Sequence, residues 1–317
     1  TFNPPISRVQ ITGTSATREG RQFGFGTYAN LDFTDDISCV TFKKTLSSWD
    51  SGESNKKTIN FLVPQYLAKD EDDNNIKSTK LLFRFMDSTG GFPGNIISSD
   101  TITFYIKVYK NGTYIETLNI TKITPDDICI RPDTAYDMNT DWDGVPNTNY
   151  WSNVDEETPN EDTDYNRTKL GTKHPAKSKF TGSFEKKLWY IKSVKVYNRG
   201  KKEENYSGHK FKPYIIVVTT ESAPADYTEL TLDYQTISYE WKKNPHNNSD
   251  WGWDAIDKLK FGGYYDNYDA SSQWPMRETQ CYCVITGKPD YYYEYTISND
   301  DLYTFEFYHN EASSLSN

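Results

Sequence analysis

The sequence predicts an all-β protein, a jelly-roll-type antiparallel β-sandwich with long elaborated loops and one short helix. Three observations predict this fold class. Apolar and polar residues alternate with period two over many short segments, which is the pattern of strands with one buried face. Turn signals separate these segments along the chain. The 317 residues also include 25 Tyr, 16 Phe and 8 Trp, so aromatic side chains must supply much of the core.

The clearest predicted element is a β-hairpin over residues 101–121. Two alternating runs rich in β-branched and aromatic residues flank Asn111-Gly112. Asn-Gly is a strong signal for a two-residue hairpin turn, because both residues tolerate positive φ. A two-residue loop fixes the register, and three favourable cross-strand pairs are expected: Val108 with Ile115, Tyr109 with Tyr114, and Lys107 with Glu116.

Further strands are predicted along the rest of the chain. In order, they cover residues 39–44, 58–63, 80–86, 188–197, 212–220, 230–241, 280–285, 291–298 and 303–308. A total of about ten strands fits a sandwich or a jelly roll. The short helix is predicted over 254–260, with Ser249 or Asp250 as its cap and Gly262-Gly263 at its end.

The predicted strands leave four long polar connections, at 64–79, 87–100, 124–187 and 242–279. Loops of this length in a compact domain usually carry function or decorate a surface. The third connection contains Trp142, Tyr150, Trp151 and Tyr165, and these aromatic residues need a surface to pack against. We therefore expect a single domain over 1–317 with these four segments as insertions. A division at 124–187 into two sandwiches is the alternative.

Charge and cysteine content exclude several classes of protein. The 45 Asp and Glu residues outnumber 35 Lys and Arg, and the net charge of −10 excludes a basic protein that coats nucleic acid. No apolar run is long enough to span a membrane, so no membrane insertion is expected. The four cysteines are too scattered for a disulfide scaffold. Cys281 and Cys283 are expected to be small buried residues on one face of a strand.

The segment 137–147 contains the most specific local pattern. Oxygen-bearing side chains occur at every second position, and Gly144 then permits the sharp turn of a calcium loop. The candidate ligands of a divalent cation, with calcium preferred, are Asp137, Asn139, Asp141 and Asp143. The segment resembles the Asp-x-Asp-x-Asp-Gly loops of calcium-binding repeats, including the Val-Pro that follows the Gly in thrombospondin type 3 repeats.

This segment departs from the EF-hand version of such loops. An EF-hand has a bidentate Glu where this chain has Tyr150. We therefore expect weak calcium binding, or ligands completed from elsewhere. The alternative is a solvated loop in which the same side chains cap their own backbone.

Two other kinds of segment are secondary candidates. The acidic clusters at 70–73 and 155–164 have the ligands to bind divalent cations at a subunit contact, and a solvated charged face is the alternative. The aromatic segment 251–274 begins with Trp251-Gly-Trp253 and has the composition of a platform for sugar rings or bases. Its alternative role is as part of the core or of an interface.

The sequence contains no recognised catalytic motif, and we do not expect this chain to be an enzyme. The four histidines, His174, His209, His246 and His309, belong to no zinc motif and to no motif of a nucleophilic serine. No glycine-rich phosphate loop is present. A carboxylate pair for glycoside hydrolysis stays open, because the fold sets the distance between such groups.

Short strands, very long Asn-, Thr-, Tyr-, Pro- and Trp-rich loops and missing catalytic motifs together resemble the coat proteins of small icosahedral viruses. In those proteins a jelly roll forms the shell and long loops make the symmetry contacts. Among such viruses, the acidic charge makes the chain most similar to parvovirus proteins, because the parvovirus genome enters a preformed shell and needs no basic protein to condense it. In size the chain is similar to the capsid proteins of shrimp and insect densoviruses.

This resemblance implies a structural protein of the virion that self-assembles as about sixty copies. It also implies that the hairpin 101–121 lies at the five-fold pore. The shell is then expected to package nucleic acid without a basic arm. A host receptor or glycan is the implied outside partner. Cations at the calcium-like loop offset the repulsion between subunits of charge −10.

The alternative function is that of a secreted bacterial β-sandwich at the cell surface, either an adhesin or a glycan-binding module. The same composition and calcium-like loop suit it. The aromatic segment 251–274 distinguishes the two functions, because exposure in a groove indicates glycan binding and burial at a subunit contact indicates assembly. A phage tail fibre is a third interpretation from the structural class.

Overall fold

The structure is a computed structural model that describes residues 10–12, 48–49, 51–62, 78–87, 95–97, 101–136, 138, 142–145, 149–159, 161–169, 176–185, 187, 189–204, 208–267, 275–310 and 315–316. The chain divides into two compact units. Unit 1 consists of Thr1–Thr124 and Pro289–Asn317, and unit 2 consists of Pro125–Lys288. The organisation as one domain stays a prediction.

The strands are numbered β1 to β23 in chain order. Unit 1 begins with β1 (Gln10–Thr12), β2 (Ser48–Trp49), β3 (Lys57–Phe61), β4 (Ser78–Asp87), β5 (Asn95–Ile96), β6 (Phe104–Lys110) and β7 (Thr113–Ile120). Unit 2 contains β8 (Ile128–Ile130), β9 (Thr134–Ala135), β10 (Trp142–Val145), β11 (Tyr165–Thr168), β12 (Ala176–Lys177), β13 (Phe180–Thr181), β14 (Ile191–Lys202), β15 (His209–Val217), β16 (Thr220–Ser222), β17 (Thr228–Glu229), β18 (Gln235–Trp241), the helix α1 (Trp253–Ile256), β19 (Leu259–Asn267) and β20 (Met276–Gly287). Unit 1 ends with β21 (Tyr291–Ser298), β22 (Tyr303–His309) and β23 (Leu315–Ser316).

Unit 1 is built from antiparallel sheets with an aromatic core. Five strands follow the order β1-β3-β22-β6-β7, and three follow the order β21-β4-β5. On β22, Tyr303, Phe305 and Phe307 alternate with half-buried residues and are buried. The Phe305 ring meets the Phe83 ring of β4 at a centroid distance of 4.8 Å, so the two sheets pack face to face. The prediction of an all-β fold with an aromatic core is confirmed in this unit.

The predicted hairpin forms as β6 and β7, and its turn is as expected. Asn111 and Gly112 have φ angles of +50° and +83°. Tyr109 lies opposite Tyr114 as predicted, but a bulge follows and Val108 lies opposite Glu116. The predicted pairs Val108–Ile115 and Lys107–Glu116 are therefore wrong.

The bulge has a physical reason in the core. It shifts the register by one residue, so that Leu118 lies opposite Ile106 and Ile120 lies opposite Phe104. All four side chains are buried. Without the extra residue, Leu118 and Ile120 would point to solvent, because a slip of one residue exchanges the two faces of a strand.

Unit 2 is also built from antiparallel sheets. One has the order β10-β11-β20-β14-β18, and β8 also pairs with β20. The other has the order β16-β15-β19-β13-β9, and β12 and β17 pair with β19 and β15, respectively. The segment 124–187, predicted as a loop, therefore contains the six strands β8 to β13. They are two to four residues long, too short to show a period in sequence.

The helix prediction is only partly right. Helix α1 covers Trp253–Ile256 with Gly252 at its N-cap, and the predicted caps Ser249 and Asp250 are not used. The chain then forms β19, where the sequence predicted that the helix continues. Gly262 lies in the middle of this strand because a Cβ atom there would be 2.0 Å from the carbonyl oxygen of Ser178. A close backbone approach, not a helix end, requires this glycine.

Other predictions have mixed outcomes. Strand β21 has the predicted bounds, whereas β14 extends to Lys202 and β18 begins only at Gln235. Cys281 and Cys283 are buried free thiols on β20, as predicted. The predicted strand 39–44 and most of the predicted loops 64–79 and 87–100 lie outside the described residues. Among the residues described, no helix is long and apolar enough to cross a membrane.

Candidate functional site

Most of the predicted calcium loop lies outside the described residues, namely Asp137, Asn139 and Asp141. Asp143 is described and lies half-buried on β10, opposite Arg167 of β11. Tyr150 donates a hydrogen bond of 3.1 Å to the carbonyl oxygen of Trp142. In the described part of the chain, no three His, Cys, Asp or Glu side chains come together as a metal site. Calcium binding stays a prediction.

The acidic segment 155–164 divides into two different environments. Glu161 accepts a hydrogen bond of 2.9 Å from Arg199, and Asp162 forms ion pairs with Lys201 at 2.9 Å and Arg277 at 3.1 Å. These carboxylates belong to a charged surface, which was the alternative interpretation. The other acidic cluster, 70–73, lies outside the described residues.

Within the same segment, the Glu156 and Asp164 carboxyl groups lie together. Burial and a hydrogen bond with Asp164 raise the pKa of Glu156 to about 7. Burial disfavours the charged form of Glu156, and the nearby negative charge acts in the same direction. The Glu156 carboxyl group therefore gains its charge as the pH rises through neutrality.

The described part of the aromatic segment 251–274, residues 251–267, contributes side chains to the interior of unit 2. Trp251 is buried and donates a hydrogen bond of 2.8 Å to the carbonyl oxygen of Trp241. Tyr265 is buried as well, and the Trp253 ring packs on Trp189 at 5.1 Å. The core interpretation is confirmed for Trp251 and Tyr265. Tyr268 and Trp274 lie outside the described residues.

A different aromatic surface lies on the outer side of β14 and β20. Half-buried Lys195 and Tyr197 alternate with buried Val194 and Val196 along β14. The ring of Tyr197 stacks on that of Tyr282 across the sheet, with centroids 4.7 Å apart and planes 8° from parallel. The Lys195 ammonium group lies 4.6 Å from the centroid of the Tyr197 ring, and the Arg131 guanidinium lies 5.5 Å from that of the Tyr282 ring. We call Tyr197, Tyr282, Lys195 and Arg131 the unit 2 tyrosine face.

Hydrogen bonds and burial hold this face in one arrangement. Arg131 donates to the carbonyl oxygens of Asp155 and Glu156 at 3.3 and 2.6 Å. A hydrogen bond to Tyr197 raises the pKa of Lys195, and burial raises the pKa of Tyr282. Both groups therefore keep their protons at neutral pH. Each ring covers one plane of the other, so the stacked pair leaves less free ring plane than two separate tyrosines would.

Unit 1 has a similar surface on the outer side of β6, β7 and β22. Tyr105 and Tyr308 stack with centroids 4.9 Å apart, and Tyr109 meets Tyr114 edge to face at 5.8 Å. We call these four residues the unit 1 tyrosine face. The Tyr109 hydroxyl donates to Glu306 at 3.1 Å, and Glu306 also forms an ion pair with Lys56 at 2.7 Å. Tyr114 is 52% exposed.

Sequence reasoning missed both faces as sites. The alternation of Lys195, Tyr197, Arg199 and Lys201 is visible in the sequence and indicates one outward face of a strand. Its partner Tyr282 is far away in the chain, and only the register of β14 against β20 brings the two rings together. The period of the strand was thus a usable signal, whereas the stacked pair was not predictable.

Comparison with known proteins identifies no family. No family model and no curated protein matches the chain. Among solved structures, a family 16 carbohydrate-binding module is 12% identical over 48% of this chain and 90% of its own, with a TM-score of 0.30. A xylan-binding domain from Paenibacillus barcinonensis is 8% identical over 51% of this chain and 96% of its own, also with a TM-score of 0.30.

The infectious bursal disease virus particle is a further structural match. Its protein is 8% identical over 84% of this chain and 75% of its own, with a TM-score of 0.28. The similar structures thus include both carbohydrate-binding modules and viral capsid proteins. At these TM-scores, neither group carries an argument about the function of this chain.

Proposed function

We propose that this chain is a structural virion protein that self-assembles into an icosahedral capsid shell enclosing the genome, as in a densovirus-like particle. The observation that carries the proposal is the pair of tyrosine faces, one on the outer side of a sheet in each unit. Tyrosine and arginine are enriched at protein–protein interfaces and among the residues that contribute most to binding. The copies would contact one another through such faces.

The order of the unit 2 tyrosine face supports a protein partner. Tyr197 and Tyr282 already stack on each other, and Arg131 is held by two carbonyl oxygens. Side chains fixed before association lose little conformational entropy when a partner binds. Because each ring already covers one plane of the other, the face suits edge contacts from another protein better than stacking of a sugar.

Chain connectivity also supports a coat protein. Unit 2 is an insertion in unit 1, and the backbones of Ile123 and Asp290 pair at the points where the chain leaves and returns, with hydrogen bonds of 2.8 and 2.9 Å. An insertion with adjacent ends leaves the host unit intact. One unit is then free to form a shell while the other varies in its surface.

Charge decides how such a shell would hold its genome. The chain carries a net charge of −10, so nucleic acid is packaged without condensation on a basic arm. Calcium at the loop of Asp137, Asn139, Asp141 and Asp143 would reduce repulsion between copies. The protein would be located in the virion, with a host receptor or glycan as its outside partner.

Substitution of the stacked tyrosines tests this proposal. We expect the double variant Tyr197→Ala/Tyr282→Ala to lower the fraction of chains in particles at least about tenfold. Alanine substitution of the strongest interface residues typically costs about 2 kcal/mol or more of binding free energy. The double variant with phenylalanine keeps the stack but loses both hydroxyl groups, so we expect it to lower the particle fraction less than the alanine variant does. Tyr136→Ala is the matched control, since Tyr136 is 51% exposed and lies outside both faces. Sedimentation velocity measures the particle fraction, and circular dichroism confirms folding.

Two results would contradict the proposal. The first is a wild-type chain that stays monomeric, which would favour the alternative of a secreted cell-surface adhesin or glycan-binding module. The second is a folded alanine double variant that assembles as well as the wild type does. In that case the unit 2 tyrosine face makes no subunit contact.

A further inference from the structure

A surface cleft of about 420 Å³ opens at one side of unit 2. It lies between the edge strand β18 and the segment that joins β16 to β17. Its lining includes Lys212, Asp226, Thr228, Ile237, Ser238 and Tyr239. Clefts of roughly 300–1,000 Å³ are the usual size of sites for small molecules. The cleft is complete within unit 2 and needs no second copy.

The cleft exists because β18 is an edge strand with residues on its inner side left uncovered. Ile237 and Tyr239 lie opposite Asn198 and Val196 of β14, and both of these partners are buried. Residues directly opposite one another project to the same side of a sheet. Tyr239 therefore points to the inner side of the sheet, yet it is 40% exposed.

The Tyr239 ring packs against a buried aromatic neighbour on the same strand. It meets the buried Trp241 ring edge to face, with centroids 4.7 Å apart. Trp241 is itself held by a hydrogen bond of 2.9 Å from its indole nitrogen to Ser222. In contrast to the stacked tyrosines, Tyr239 is not covered by a parallel ring in the described part of the chain, so it offers an aromatic surface at the cleft.

The polar groups around this ring are of both charges. The Lys212 ammonium group lies 3.9 Å from the Tyr227 ring centroid and donates a hydrogen bond of 3.1 Å to the carbonyl oxygen of Pro224. Asp226 is exposed at the cleft. One cation and one carboxylate balance each other, so the charge of the lining favours a neutral ligand. A carboxylate, an ammonium group and hydroxyl groups beside an aromatic ring match the alternating polar and apolar surfaces of a sugar.

We propose that this cleft binds a neutral carbohydrate of one or two hexose units, with an apolar sugar face against Tyr239 and sugar hydroxyl groups on Asp226, Ser238 and Lys212. The proposal goes beyond assembly and does not depend on it. A chain that forms particles would carry the site on each copy, and a monomeric chain would carry it once.

Saccharide binding to the purified full chain tests the site. The probes are the methyl glycosides of glucose, galactose, mannose and N-acetylglucosamine, with lactose, cellobiose and the charged comparator sialyllactose. Saturation-transfer NMR and calorimetry at millimolar ligand measure the affinity. We expect saturable binding of at least one neutral probe, weakened at least about tenfold by Tyr239→Ala through loss of the aromatic contact.

Matched variants separate the site from the fold. Tyr239→Phe keeps the ring and is expected to bind within about twofold of the wild type, as is Tyr136→Ala at an exposed tyrosine outside the cleft. Asp226→Asn changes an exposed side chain and keeps the fold, and we expect it to weaken binding as well. This variant carries the test if Tyr239→Ala does not fold.

Several outcomes would overturn the proposal. One is that no neutral probe binds saturably, and another is that sialyllactose alone binds. A third is that a neutral probe binds equally well to the wild type, Tyr239→Ala and Asp226→Asn. Loss of self-association in Tyr239→Ala, without any saccharide binding by the wild type, would make the cleft a subunit contact instead. Because particle mass is measured separately, a failure of saccharide binding does not count against assembly.

Discussion

Asn198 donates a hydrogen bond of 2.6 Å from Nδ2 to Oε1 of Glu278 in the interior of unit 2, where both side chains are buried. The same carboxyl oxygen accepts a hydrogen bond of 3.0 Å from the Ser178 hydroxyl. Burial raises the pKa of Glu278 to about 7, although both hydrogen bonds act to lower it. Desolvation is the stronger effect at this site, and the carboxyl group is half protonated near neutral pH.

This burial makes the stability of the fold depend on pH. The pKa of Glu278 in the folded chain, about 7, lies above the ordinary value of 4.5. Its stabilising contribution is therefore complete below pH 4.5 and is lost as the pH rises towards 7, by about 3 kcal/mol in total. We expect Glu278→Gln, which keeps the acceptor oxygen but carries no charge, to be more stable than the wild type at pH 8 and close to it at pH 5.

Urea unfolding of both proteins at pH 5 and pH 8 measures this difference. The comparison with the glutamine variant removes the effect of other titrating groups, such as Glu156. An equal difference between the variant and the wild type at both pH values would show that the pKa of Glu278 is not raised in the folded chain.

The hairpin turn of unit 1 provides a second prediction. Gly112 has a φ of +83°, and a Cβ atom there would meet no atom within 4 Å. Gly112→Ala is therefore expected to cost only the strain of a left-handed residue, about 1 kcal/mol. Urea unfolding measures it. A loss of several kcal/mol would mean that the turn packs against further residues of the chain.

Asn111 in the same turn is expected to contribute more. Its side chain donates a hydrogen bond of 2.8 Å to Asp301 and accepts one of 2.9 Å from the Leu302 amide. Asn111→Ala loses both bonds and raises the cost of positive φ, so we expect a loss of about 1–3 kcal/mol in unfolding free energy. A smaller effect than that of Gly112→Ala would contradict this role in joining the hairpin to the turn before β22.

Gly262 in unit 2 contrasts with Gly112, because another backbone segment lies close to it. At Gly262 a Cβ atom would lie 2.0 Å from the carbonyl oxygen of Ser178, which is backbone and has no room to move alone. We expect Gly262→Ala to reduce the unfolding free energy by more than about 3 kcal/mol or to prevent folding. Soluble yield and thermal unfolding report the effect. A variant with wild-type stability would show that β12, β13 and β19 do not pack as described.

Calcium binding at 137–143 is a further prediction from the sequence. We expect one weak site, with a Kd on the order of 10⁻⁴–10⁻³ M because the bidentate Glu is missing. Calorimetry with calcium chloride measures it, and Asp141→Asn/Asp143→Asn should abolish the heat of binding. The result against this prediction is an identical titration for the double variant and the wild type.

Five strands of unit 1 were predictable from the sequence because they are seven to ten residues long, namely β4, β6, β7, β21 and β22. Asn111-Gly112 predicted the turn and the Tyr109–Tyr114 pair, since turn chemistry is local. The bulge after this pair was not predicted, because it depends on which residues the core can bury. Leu118 and Ile120 are two positions apart, which is the spacing of residues on one face of a strand. A two-residue loop without the bulge would have placed both on the outer face.

Unit 2 was less predictable because its sheets use short strands from distant segments. Strand β13 is two residues long and pairs with both β9 and β19, and no local pattern indicates such a pairing. The cleft at Tyr239 was also missed, because it depends on an inner-side tyrosine in an edge strand. The segment 251–274, in contrast, was a candidate because of its composition alone. The burial of Trp251 and Tyr265 shows that aromatic density does not distinguish a core from a binding surface.

The mass of the purified particle is the most direct test of assembly. Light scattering and negative-stain microscopy of the full chain, with calcium and then with a chelator, measure it. We expect closed shells of about sixty times the 36.7 kDa chain mass, loosened when the chelator removes calcium. A species of 36.7 kDa in both buffers would contradict the capsid function.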